Sequence, residues 1–153
     1  MINALALALH ALAAVLWVGG MFFAHQCLRP AALKLDPPLR LTLWRDTFAR
    51  FFPWVWAIIV ILPITGLYML FKVHGGFATA GGYIHAMLAL GIVMIVIFLH
   101  VYFAPYRRLC RAVEQQQFKE GADHLATIRK MVGINIVVGL VTVAVAAGGR
   151  MMG

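Results

Sequence analysis

The sequence predicts an all-α integral membrane protein, a bundle of four transmembrane helices. Three observations carry this. Hydrophobic residues make up 63% of the 153-residue chain and charged residues only 12%, against roughly 25% charged in a soluble domain. The apolar residues gather into blocks of about twenty, the length that crosses a hydrocarbon core at 1.5 Å per residue. The basic residues between those blocks are unequally shared between the two ends of the bundle.

The blocks place spans near 4–27, 51–72, 83–104 and 131–149, together one transmembrane domain covering 1–153. The first block has no basic leader and is too long for a cleavable signal, so it reads as a resident helix. After it, Arg29-Pro30 is expected to break the helix, because proline removes an amide donor. The following "LRLTLWRDTFARFF" has apolar residues at helical spacing with basic residues between, the pattern of a short helix lying in the membrane interface. Pro63, beside Thr65-Gly66, is expected to kink span two, with Thr65 satisfying the freed backbone. The glycine-rich "VHGGFATAGGY" predicts a tight turn that leaves spans two and three antiparallel. The loop from Arg107 to Lys130 is expected to be helical up to Gly121.

Charge sets the expected topology. Arg29, Lys34, Arg40, Arg45 and Arg50 lie between spans one and two, and Arg107, Arg108, Arg111, Lys119, Arg129 and Lys130 between spans three and four. The opposite end holds Lys72 and Arg150. Basic residues accumulate on cytoplasmic loops, so both termini are expected on the outer, periplasmic side of a bacterial inner membrane. The net charge of +8 is therefore a topology and lipid signal, and no nucleic-acid partner is expected. Cys27 and Cys110 fall on the reducing side and are expected to remain free thiols. No nucleotide-binding glycine loop, HExxH or Gly-x-Ser-x-Gly elbow occurs.

The chemistry-bearing residues are histidines. Span one carries His10 and His25, and span three carries His85 and His100, each pair fifteen residues apart. Ionisable side chains inside a bilayer are expensive and point to function. Fifteen residues of helix separate two layers by about 22 Å and rotate the second histidine by only about 60°. Spans one and three run in the same direction, so His10 would face His85 in one layer and His25 would face His100 in the other. Such pairs suit axial ligation of one or two b-type haems. Gly19, Gly20 and Gly91 would admit the flat ring, and Arg29, Arg50 and Arg107 would meet its propionates. The competing metal is copper, whose soft Cu(I) state takes thioether and imidazole ligands. His10, His74 and His85 with Met69 and Met87 are the candidate set, Met1 lies near, and Met21 and Met94 lie deeper. Trp17, Asn135 and Thr65 read as packing or helix-bridging residues.

The segments "LHALAAVLWVGGMFF", "RFFPWVWAIIVILPITGLYML", "HVYFAPYRRLCRAV" and "IRKMVGINIVVGLVTVAVAAGGR" resemble the bacterial CopD family of small membrane proteins. The resemblance covers nearly the whole chain and implies copper uptake or resistance. Leu9-His10 and "YIHAML" also resemble the HemJ-type protoporphyrinogen oxidases, haem b-associated four-helix membrane proteins. That likeness implies His10 and His85 as haem ligands, but Met87 stands where that group has lysine, which counts against protoporphyrinogen oxidation.

The function expected is b-type haem binding for transmembrane electron transfer, with a quinone or another redox protein as partner. Copper transport is the alternative, and a non-catalytic scaffold or assembly subunit the third reading. Whether the chain is an enzyme, and its oligomeric state, stay open at this level.

Overall fold

The computed structural model describes Met1–Met152, apart from the side chains of Arg150 and Met152. Among the described residues it is entirely helical. Helix α1 (Ile2–Phe23) passes through a π-helical turn (Ala24–Leu28) into α2 (Arg29–Ala32), and α3 spans Pro37–Lys72. Helix α4 (Gly82–Val101) passes through a second π-helical turn (Tyr102–Tyr106) into α5 (Arg107–Glu114), and α6 is Phe118–Met152. Four continuous stretches, Ile2–Ala32, Pro37–Lys72, Gly82–Glu114 and Phe118–Gly149, are long and apolar enough to cross a membrane. This is a multi-pass membrane protein.

Three expected helix ends move. Pro30 does not break span one: the wider π-helical turn just before it accommodates the missing amide donor, and the helix runs on to Ala32. Pro105 sits within the second such turn. The expected interfacial helix after Asp36 is not separate but forms the first turns of α3, which continues through Pro53 and Pro63. The break in the last connection falls at Gln115–Gln117, where Gln116 takes a φ of 57°, and Gly121 lies inside α6. In hydrocarbon every backbone polar group needs a partner within the protein, and an unbroken helix supplies it.

The helices are longer than a bilayer requires. Helix α3, with 36 residues, measures ~54 Å at 1.5 Å per residue, against about 30 Å of hydrocarbon. The excess lies at the end that carries most of the arginines. There Leu41 and Trp44 of α3 meet Leu109 and Val113 of α5 and Leu125 and Ile128 of α6 in one buried cluster. The basic side chains project around it, with Arg107 stacked over Phe103 at 5.2 Å. At the opposite end Gly75 and Gly76 adopt φ of 75° and 102°, which lets the turn between spans two and three reverse the chain.

Span one packs mainly on span two and span three mainly on span four, so the bundle is two antiparallel hairpins. They meet along an inner seam. Trp17 stands edge-on to Phe98 at 6.4 Å, and Asn135 of span four donates from Nδ2 to the Met94 carbonyl at 3.4 Å while lying 3.7 Å from Met21 Sδ. Gly139 permits this approach, because a Cβ there would lie 2.8 Å from Val18 and 3.2 Å from Met94. A Cβ on Gly19 would meet nothing within 4 Å. Gly139→Val is therefore expected to destabilise the bundle by about 1–3 kcal/mol, the usual cost of overpacking, while Gly19→Val leaves the melting temperature in detergent close to wild type.

Candidate functional site

Helical geometry decides which of the candidate residues point inward. On span one His10 lies seven residues before Trp17 and eleven before Met21, both buried, so within about 20° all three share one inner stripe. On span three Met87 lies seven residues before buried Met94 and shares its inner face. His85 is nine residues before Met94, half a turn away on the opposite face, and is exposed. On span two Met69 lies four residues after buried Thr65, one turn along the same face.

Span two holds the His10 ring in place. His10 Nδ1 lies 2.8 Å from Thr65 Oγ1. Thr65 Oγ1 also lies 2.7 Å from the Ile61 carbonyl and 3.2 Å from that of Leu62, so a hydroxyl proton turned to Ile61 makes Oγ1 the acceptor of His10 Nδ1–H. In that tautomer the Nε2 lone pair is free, the arrangement found where an imidazole binds a metal and its other nitrogen is anchored by an oxygen. Gly66 provides the space: a Cβ there would stand 3.3 Å from His10 Cε1. Nearby, Tyr68 OH donates to Asn3 Oδ1 at 2.9 Å and ties the same two spans. Thr65 bridges helices as its position suggested. Its backbone bonds go to Ile61 and Leu62, not to Ile59, the carbonyl that Pro63 deprives of its usual donor.

The structure places the four intramembrane histidines in four separate surroundings and brings neither expected pair into contact. His85 rests its ring near Phe77 at 6.2 Å, with Nδ1 at 3.3 Å from the Gly81 carbonyl. His25 turns toward span four, where a Cβ on Gly133 would lie 3.3 Å from Nε2, and its buried Nδ1 has no partner. His100 is exposed. Equal spacing along two helices does not make facing pairs, because span three buries its Met94–Phe98 face and turns both histidines outward. Of the glycines expected to admit a porphyrin, Gly20 makes room for the Phe51 ring, which would lie 2.5 Å from a Cβ there, while a Cβ on Gly19 or Gly91 would meet nothing within 4 Å. Arg29, Arg50 and Arg107 are exposed. Among the described residues no three His, Cys, Asp or Glu side chains gather into a metal-binding group.

Met21 and Met94 are both buried at the centre of the bundle, where Asn135 Nδ2 meets Met21 Sδ and the Met94 backbone carbonyl. Met69 and Met87 lie on inner faces toward the terminus-bearing end. His74 is half-buried in the turn, its amide donating to the Met69 carbonyl at 3.2 Å and its own carbonyl accepting from Thr79.

The family model described as copper resistance protein D, CopD, matches residues 45–148. The chain belongs to the CopD family. The match covers spans two to four with Thr65, Gly66, Met69, Met87, Met94 and Asn135, while His10 precedes it. No curated protein and no solved structure gives a significant match. CopD membership favours the copper reading over the haem reading, and the relation to HemJ-type oxidases gains no support. The residue that sequence reasoning undervalued is Thr65. The Thr65-Gly66 pair is part of the CopD-like stretch, and its role shows only when His10 is seen against it. With the Thr65 acceptor intact, ¹⁵N NMR of His10 is expected to show the Nδ1–H tautomer. Thr65→Val should remove that preference, and a dominant Nε2–H form in the wild type would overturn the assignment.

Proposed function

We propose that this CopD-family protein handles copper within the membrane as a permease, with Cu(I) as its cargo. His10 is the entry ligand, and Met69 and Met87 supply thioethers near the same end. Met21 and Met94 extend the soft-donor column to the bundle centre. The observation that carries this reading is the His10–Thr65 hydrogen bond at 2.8 Å, which engages Nδ1 and leaves Nε2 as the nitrogen for a metal. Thioether and imidazole donors match the softness of Cu(I), and the family match points the same way. His85 is not in this set, because its face is turned away from Met87 and Met94. Both termini are placed on the outer side of the inner membrane, a topology supported by the crowding of basic residues at the other end. Cu(I) would then enter where His10 lies and be drawn inward.

Competition against a chromogenic Cu(I) chelator tests the reading in purified protein. His10→Ala is expected to weaken binding at least about tenfold, and Thr65→Val by about 10–100-fold, as for loss of a residue that orients a metal-bound histidine. His85→Ala should leave affinity unchanged. Failure of the wild type to bind Cu(I), together with a Soret band that sharpens on reduction, would replace copper with haem.

A further inference from the structure

The arginines at the basic end are not equivalent. Arg45 pairs with Asp46 at 2.9 Å, and Arg107 lies over the Phe103 ring. Arg29, Arg40 and Arg129 have no such partner. Among the described residues the ion pairs are Arg45–Asp46 and His124–Glu120. Asp36, one turn before Arg40, offers it only a backbone carbonyl, which accepts from the Arg40 amide at 2.9 Å.

The fold nevertheless brings these three arginines together. Arg29 of α2 and Arg129 of α6 line one shallow cleft, whose floor is buried Trp44, Phe48 and Ile128. His25 lines it as well. Arg40 stands one turn before Trp44 on the same face of α3, and Arg29 and Arg40 are the charges that act on Arg129. Arg29 and Arg40 belong to one hairpin and Arg129 to the other, so like charges face each other across the boundary. Burial of Leu41 and Trp44 with Leu125 and Ile128 in one cluster sets that approach. Arg29 is exposed and the other two are half-buried, so their donors stay within reach of a ligand. Ala24 and Val132 also line the cleft. They lie five residues before Arg29 and three after Arg129, and so carry its apolar surface from the charges toward the hydrocarbon.

We propose that this cleft binds one anionic phospholipid. The phosphate sits among Arg29, Arg40 and Arg129, and the start of an acyl chain lies over Ala24 and Val132. Charge complementarity names the occupant. Three cations without a counter-charge call for an anion, and guanidinium N–H groups match phosphate oxygens in pairs. The apolar floor beside them favours a phosphate that carries an acyl chain over a free one. Bound there, the phosphate holds the two hairpins together where the arginines alone would push them apart. This is narrower than the general attraction of basic loops for an anionic leaflet. Lys34, Arg50 and Arg108 add charge at the same end without lining the cleft. The site does not rest on copper binding.

The test is lipid titration of the delipidated full-length protein in neutral detergent, read by native mass spectrometry. The probes are dioleoylphosphatidylglycerol and dioleoylphosphatidylcholine, which share their chains and differ in net charge. Saturable binding of one phosphatidylglycerol is expected, at least about fivefold tighter than phosphatidylcholine, the weight of one basic residue against an anionic lipid. Arg129→Gln should abolish that preference and Arg108→Gln should keep it. Glutamine at 129 removes a like charge rather than a partner, and the comparison of the two lipids uses the wild type in any case. Equal affinity for the two lipids would overturn the proposal. A preference that survives Arg129→Gln, or falls equally with Arg108→Gln, would overturn it too and leave only a diffuse basic surface. Displacement of the lipid by equimolar inorganic phosphate would replace it with a free-anion site.

Discussion

The seam at the centre of the bundle, where Gly139 of span four lets Val18 of span one approach and Phe52 and Trp56 of span two stand edge-on to Phe98 of span three, is where the two hairpins become one structure. Lipid tails are as apolar as leucine, so a bilayer gives little hydrophobic drive for helices to associate, and close packing with a few polar links must do it. Span one with span two, and span three with span four, pair along their lengths. Asn135, bonded within its own hairpin to the Met94 carbonyl at 3.4 Å, adds a contact to Met21 Sδ of span one at 3.7 Å. Met21 and Met94 flank that seam, the His10 stripe leads from it toward the termini, and the rings of Phe52, Phe98 and Tyr106 lead from it toward the basic end.

A second constraint shapes the helices themselves. Backbone groups in hydrocarbon must be paired within the protein, which explains why prolines at 30, 53, 63 and 105 sit inside helices rather than ending them. Beyond the hydrocarbon the same helices continue, and their inner faces form a small core around Leu41, Leu109 and Ile128, exposed by 1%, 0% and 0%. The arginines around that core keep this end in water or among lipid head groups. The basic loops read from the sequence are thus largely helix, and the charge that signals topology also covers a folded extension of the bundle.

The proposed copper path draws on span two, because Thr65 Oγ1 holds Nδ1 of His10 at 2.8 Å. A side chain that bridges two helices thereby also orients the ring it touches.

The number of spans, the all-α class and the asymmetry of charge were legible in the sequence, because hydropathy and length determine them without reference to neighbours. The CopD-like segments were legible for the same reason, being contiguous. His10 was readable as a residue that needs a partner and Asn135 as a bridge, since polar groups inside a bilayer need partners. The partners themselves were not readable. The matched spacing of His10 and His25 with His85 and His100 suggested two facing pairs, yet rotation about the helix axis is set by packing against other spans, which no spacing within one helix contains. Tertiary structure alone decided that span three turns Met87 and Met94 inward and His85 outward, that Thr65 meets His10, and that Asn135 meets Met21. The physical reason is common to all three: each depends on the relative rotation of two helices far apart in the chain.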